Sequence, residues 1–223
     1  TNGIYVTGGS LTANGTLDVT HTGVNNADYP GTDYAFLQQQ ITSYAVRVQG
    51  TESTSVTINA GKITNSIGGG VYVSGGTVTL GNQTSKVGPT VTTTGNSLSD
   101  AEDVNGNWGY NQSRTGGHGV EVSGGTLTVY AGNYTAAHGN GILVRNMTQN
   151  STTEGNRVTI SGGNFVGGYN KGTAVRQVGP GASYGLYVMG GNITVTISGG
   201  TFGSTDIVSV GDTTTTISRN SAA

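Results

Sequence analysis

The chain repeats a short run of alternating apolar residues closed by glycine, and it does so in a fixed three-part order. Residues 119–139, GVEVSGGTLTVYAGNYTAAHG, divide into GVEVSGG, TLTVYAG and NYTAAHG. The first kind recurs as GIYVTGG at 3, YAVRVQG at 44, GVYVSGG at 70, GLYVMGG at 185 and DIVSVGD at 206, with GILVRN at 141 as a shorter version. The second recurs as SVTINAG at 55, TVTLGN at 77, RVTISGG at 157, TVTISGG at 194 and, degraded, TTTIS at 214. The third begins KI at 62, NF at 164 and TF at 201. Period-two alternation over so few residues is a strand signal, and Gly-Gly marks a turn that needs positive φ.

Three strands per repeat, joined by corners too short for a helix, do not make hairpins. They predict an all-β fold, a single-stranded parallel β-helix (β-solenoid) with three faces per coil, its like faces stacked ~4.8 Å apart. Starts near 3, 44, 70, 119, 141, 185 and 206 give about seven coils, in one domain over 1–223. On the first face Val6, Val46, Val48, Val71, Val73, Val120, Val122, Ile142, Val144, Leu186 and Val188 should point inward. On the second the inward pairs are Val56/Ile58, Val78/Leu80, Leu127/Val129, Val158/Ile160 and Val195/Ile197, and on the third Ile63, Tyr134, Phe165 and Phe202 should stack.

Composition agrees with many short strands. Glycine takes 41 of 223 positions, Thr and Ser together 55, and charged residues only 9%. Abundant Gly, Thr, Val and Ile with little charge is not the signature of disorder. A net charge of −2 gives no electrostatic case for nucleic acid or an anionic membrane. No apolar run is long enough to span a bilayer, so membrane insertion is not expected. Zero cysteines exclude disulfides and thiolate chemistry. With Thr as first residue and no leader-like segment, the chain reads as a mature or excised piece.

The stretches VSGGTVTL, VSGGTLTV and ISGGTF resemble the Gly/Thr-rich SGGT repeats of bacterial surface adhesins and autotransporter passenger domains. The resemblance covers nearly the whole chain. It implies a right-handed parallel β-helix and an extracellular, cell-surface location, with a structural or adhesive role.

Four segments interrupt the period, at about 21–43, 82–118, 145–156 and 168–184. Solenoid insertions leave at corners and often build a binding face. The longest carries Trp108 and Tyr110, which with Tyr5, Tyr72 and Tyr187 are the ligand or partner candidates, glycans or a host surface being the partners such aromatics suit. Its DAEDVNGNW offers Asp100, Glu102, Asp103, Asn105 and Asn107 as oxygen donors, an incomplete calcium loop lacking the glycine and distal Glu of an EF-hand. A solvated acidic loop explains it as well, and no other cofactor is expected. Asn82, Asn111, Asn133, Asn146 and Asn150 are glycosylation candidates, standing in Asn-x-Ser/Thr sequences as do Asn14 and Asn192, but that number is near what chance gives.

Catalysis finds little footing. The outward first-face row reads Tyr5, Arg47, Tyr72, Glu121, Leu143 and Tyr187, in which Glu121 and Arg47 make no paired-carboxylate site. His118 and His138 fall about one coil apart and read as surface neighbours. The outward second-face row is a hydroxyl array of Ser55/Thr57, Thr77/Thr79, Thr126/Thr128, Thr194/Thr196 and Thr214/Thr216, broken by Arg157/Thr159. It resembles the ice-facing surface of some solenoid antifreeze proteins, although Thr is also simply a good outward strand residue. The first coil starts at residue 3 and the last runs to 218, so both ends look uncapped. That predicts either flanking domains in a longer chain or end-to-end self-association. The expectation is therefore a non-enzymatic structural or adhesive solenoid, alone or as a fibre subunit. A carbohydrate-binding or polysaccharide-degrading β-helix is second, and ice binding third.

Overall fold

The computed structural model describes residues 2–21, 44–66, 68–94, 117–136, 139–146, 155–167, 184–203, 208–210 and 216–219. Among these the chain is all-β, with every strand in one 16-stranded sheet and every recorded strand pairing parallel.

The pairings fall into three ladders. The first runs β1 (Asn2–Val6), β4 (Tyr44–Val48), the start of β7 (Gly69–Leu80), the start of β9 (Val120–Val129), β11 (Ile142–Arg145), β13 (Leu186–Met189) and β15 (Val208–Val210). The second runs β2 (Ser10–Ala13), β5 (Ser55–Ile58), the ends of β7 and β9, the start of β12 (Asn156–Gly167), β14 (Ile193–Phe202) and β16 (Thr216–Arg219). The third runs β3 (Asp18–His21), β6 (Lys62–Asn65), β8 (Thr90–Thr93), β10 (Asn133–Ala136) and the ends of β12 and β14. Along the chain the ladders are visited in the order first, second, third, which makes the fold solenoid-like.

The inward rows are buried as their alternation predicts. Val46, Val71, Val120, Ile142 and Leu186 stand in register with relative exposures of 0%, as do Val48, Val73, Val122, Val144 and Val188 beside them. Tyr134, Phe165 and Phe202 stack at centroid distances of 4.9 and 5.2 Å. Val19, beside Ile63, and Val91, between Ile63 and Tyr134, fill the remaining places in that row.

Two kinds of glycine set the corners. Gly70, Gly119, Gly141 and Gly185 form a column where the chain enters the first ladder. A Cβ on Gly119 would lie 2.6 Å from the Gly141 carbonyl oxygen, and one on Gly141 would lie 2.8 Å from that of Gly185. Main chains in successive layers approach there too closely for any side chain. At the SGG corner after the first ladder, Gly76 and Gly125 both take φ of 75°, so the turn itself requires glycine.

Several sequence-based boundaries need correction. The segment 82–118 is not wholly an insertion, because β8 lies within it and supplies a layer of the third ladder. His21, Arg145, Asn156 and Tyr184, placed at insertion edges, belong to the described body. β2 and β3 complete a first layer that the repeat count left without second and third strands. In the last layer Thr216, not Thr214, aligns with Thr194, and Ser218 aligns with Thr196.

Candidate functional site

The ladders present two different outer surfaces. On the second, Ser10↔Ser55↔Thr77↔Thr126↔Arg157↔Thr194↔Thr216 form one column and Thr12↔Thr57↔Thr79↔Thr128↔Thr159↔Thr196↔Ser218 the other. Ser55, Thr77, Arg157, Thr159 and Thr194 are exposed, whereas Thr57, Thr79, Thr126, Thr128 and Thr196 are half-buried. From Ser10 to Thr196 strand alternation turns these hydroxyls outward.

The outer side of the first ladder departs from the exposed row that the sequence suggests. Tyr5 is 53% exposed, but Arg47 and Tyr72 are half-buried, and Glu121 (2%), Leu143 (2%) and Tyr187 (7%) are buried. Glu121 anchors a polar cluster. Arg145 Nη2 lies 2.5 Å from Glu121 Oε1, and the Tyr44 hydroxyl donates to Glu121 Oε2. Register pairs Glu121 with Leu143, so Arg145 reaches it from the diagonal position two residues on. The Tyr44 ring stacks on Tyr72 at 4.6 Å and lies over Gly69, where a Cβ would meet the ring at 2.4 Å. Tyr72 in turn accepts a hydrogen bond from Ser123 Oγ at 2.6 Å.

Arg47 sits between the rings of Tyr5 and Tyr72, 5.5 and 5.4 Å from their centroids. Its Nη2 donates to Gln49 Oε1 at 2.9 Å, and the Tyr5 hydroxyl donates to the same oxygen at 3.1 Å. The predicted tyrosine row is therefore divided. Tyr5 and Tyr72 clasp Arg47, while Tyr187 packs with Tyr184 at 5.5 Å in another part of the ladder.

His118 is buried, not the surface residue its position suggests. Its Nδ1 accepts the Asn140 main-chain N–H at 3.0 Å, and Asn140 Oδ1 accepts that of Tyr184 at 2.9 Å. This geometry leaves the imidazole proton on Nε2. Burial pulls the His118 pKa down to about 4, Arg145 adding to the effect and Glu121 opposing it. Burial likewise pushes the Tyr44 hydroxyl well above its ordinary value, and the Glu121 carboxylate raises it further. For Arg145, burial acts downward but Glu121, Tyr44 and Tyr72 more than offset it, leaving the guanidinium raised.

A second buried polar column closes the third ladder. His21, Asn65 and Thr93 stand in register. Asn65 Oδ1 accepts the Gly68 N–H at 2.9 Å, Asn65 Nδ2 donates to the Gly69 carbonyl at 2.8 Å, and the Thr93 hydroxyl donates to the Gly117 carbonyl. These side chains satisfy main-chain groups of the turn into the first ladder, as buried polar groups must be.

Of the other predicted residues, Asn82 is half-buried and its Oδ1 accepts the N–H groups of Thr84 and Ser85, both at 2.9 Å. Asn133 is exposed. Asn146 is half-buried, and its Nδ2 donates to the Gly191 carbonyl at 2.9 Å. Trp108, Tyr110, Asp100, Glu102, Asp103, Asn105, Asn107, Asn111, His138 and Asn150 lie outside the described residues. Among the described residues no three His, Cys, Asp or Glu side chains converge as metal ligands.

Sequence reasoning missed Tyr44 and Arg145. Arg145 was legible, since the outward period of GILVR continues through Leu143 to it. Tyr44 was not, because its place in β4 gives it the parity of the inward Val46 and Val48, whereas its ring lies over Gly69 against Tyr72 and Glu121. Compared with known proteins, the chain matches no family model, no curated protein and no solved structure.

Proposed function

We propose that the chain is a non-enzymatic, extracellular structural and adhesive β-solenoid of a microbial surface. In this reading it is a right-handed parallel β-helix of about seven coils whose copies associate end to end. The observation that carries it is the parallel, in-register stacking of three ladders around continuous Val, Ile and Leu rows, an arrangement suited to a stiff rod. Among the described residues β1, β2 and β3 at one end each pair on one side only, with Ile4, Val6, Leu11, Ala13 and Leu17 partly buried against the core. Such an edge is a template for another strand layer, from a second copy or an adjoining domain. Of Asp103 and Glu121, the two carboxylates an enzyme reading would draw on, Glu121 is buried and engaged by Arg145 and Tyr44, and Asp103 lies outside the described residues.

Negative-stain electron microscopy over a concentration series tests the reading. Rods that lengthen with concentration are expected, and a monodisperse short particle at high concentration removes the end-to-end part. A polysaccharide lyase and hydrolase screen addresses the enzyme alternative directly. Turnover that is lost in Glu121→Gln would overturn the non-enzymatic reading.

Carbohydrate binding is a second reading, favoured by the exposed Tyr5 ring backed by Arg47, and a glycan array before and after Tyr5→Ala checks it. Ice binding is a third. It draws on the outward hydroxyl columns of the second ladder, and thermal hysteresis measures it.

A further inference from the structure

We infer that Asn14 is a site of spontaneous covalent modification, converting to aspartate and isoaspartate in the folded protein. Asn14 and Gly15 form the exposed turn between β2 and β3. The reaction needs three things: a main-chain nitrogen free to act as nucleophile, room for it to approach the side-chain carbonyl carbon, and a polarised carbonyl.

The turn supplies all three. No hydrogen bond engages the Gly15 N–H among the described residues. Nothing lies within 4 Å of where a Cβ on Gly15 would stand, so the turn is open. Asn59, one layer along, donates its Nδ2–H to Asn14 Oδ1 at 2.7 Å. That donor withdraws electron density from the amide carbon and supports the negative charge that develops on the oxygen during attack.

The chemistry needs only water. Gly15 N attacks Asn14 Cγ, forming a five-membered imide. The bond from Cγ to Nδ2 breaks, and ammonia leaves with the proton from Gly15 N. Water then opens the imide at either carbonyl, giving aspartate or a β-linked isoaspartate. The second product inserts one extra carbon into the main chain beside the edge layer of β1, β2 and β3 and adds a negative charge there.

The other described Asn-Gly pairs lack these conditions. Asn140 is buried, its Oδ1 holds the Tyr184 N–H at 2.9 Å, and the Gly141 N–H is bound to the Tyr184 carbonyl at 2.9 Å. Gly3 lies within strand β1, where a Cβ would meet Ala45 O at 2.9 Å.

The test is to age the folded protein at mildly alkaline pH, digest it, and map deamidation by mass spectrometry with an isoaspartate-specific methyl-transfer assay. Asn14 should convert at least ~10-fold faster than Asn140, a ratio worth about 1.4 kcal/mol in barrier. Gly15→Ala, which meets no steric obstacle, should suppress it, and Asn59→Ala should slow it several-fold with the fold intact by circular dichroism. Conversion of Asn14 no faster than Asn140 overturns the site. An unchanged rate in Asn59→Ala overturns the assistance by Asn59.

Discussion

Glu121 shows how one side chain can be both a cost and a constraint. A buried carboxylate is tolerable only because Arg145 reaches it from the adjacent layer and Tyr44 from two layers away, across Gly69. Glu121→Ala leaves a guanidinium and a phenol without their acceptor and should destabilise by about 3–5 kcal/mol in chemical denaturation. The triple change Glu121→Leu, Arg145→Met, Tyr44→Phe should recover most of that loss, because an apolar cluster of similar volume has no desolvation cost to offset.

His118 makes a separate prediction. It binds its proton with a pKa of about 4 when folded, against 6.5 as the ordinary value, so the unfolded chain takes up the proton first as pH falls. Stability from this group is complete above about 6.5, declines toward 4 and levels off below it, a loss of roughly 3 kcal/mol in all. Chemical denaturation between pH 7 and 4 should show that decline in the native protein and a shallower one in His118→Gln.

At the scale of the strand, the glycine column entering the first ladder sets how closely layers approach. Gly119→Ala drives a methyl into the Gly141 carbonyl and should cost about 1–3 kcal/mol, read as a lowered Tm. Gly15→Ala, in open space, should change stability by less than about 0.5 kcal/mol.

This is also the scale at which the sequence was most informative. Alternation assigned inward residues such as Val73, Val122 and Val188, and the aromatic third-ladder stack followed from single residues after each corner. β2 escaped although Gly8-Gly9 precedes it, because SLTA alternates only weakly and puts Ala13 at an inward place; β3 and β8 escaped because no Gly-Gly corner leads into them, Asn14-Gly15 lying ahead of β3 and Pro89 ahead of β8. The outer side of the first ladder was misread for a different reason. Strand parity says that Glu121 faces away from the core, but whether it faces water depends on distant chain packing over it, which a local pattern does not encode. His118 was hidden in the same way.

At the scale of the molecule, everything depends on the stacking of like faces. The absence of cysteine makes that directly measurable, since paired cysteines can be introduced and spin-labelled without interference. Ser10 and Thr194 occupy the same column of the second ladder, five layers apart, and Ser55 and Thr194 are four layers apart. Double electron–electron resonance on Ser10→Cys/Thr194→Cys should give a narrow distribution near ~24 Å between main-chain positions, and Ser55→Cys/Thr194→Cys one near ~19 Å, a fall of one layer spacing. Distances that do not shorten by a layer between the two pairs, or a broad distribution for either, would contradict the parallel stacked arrangement.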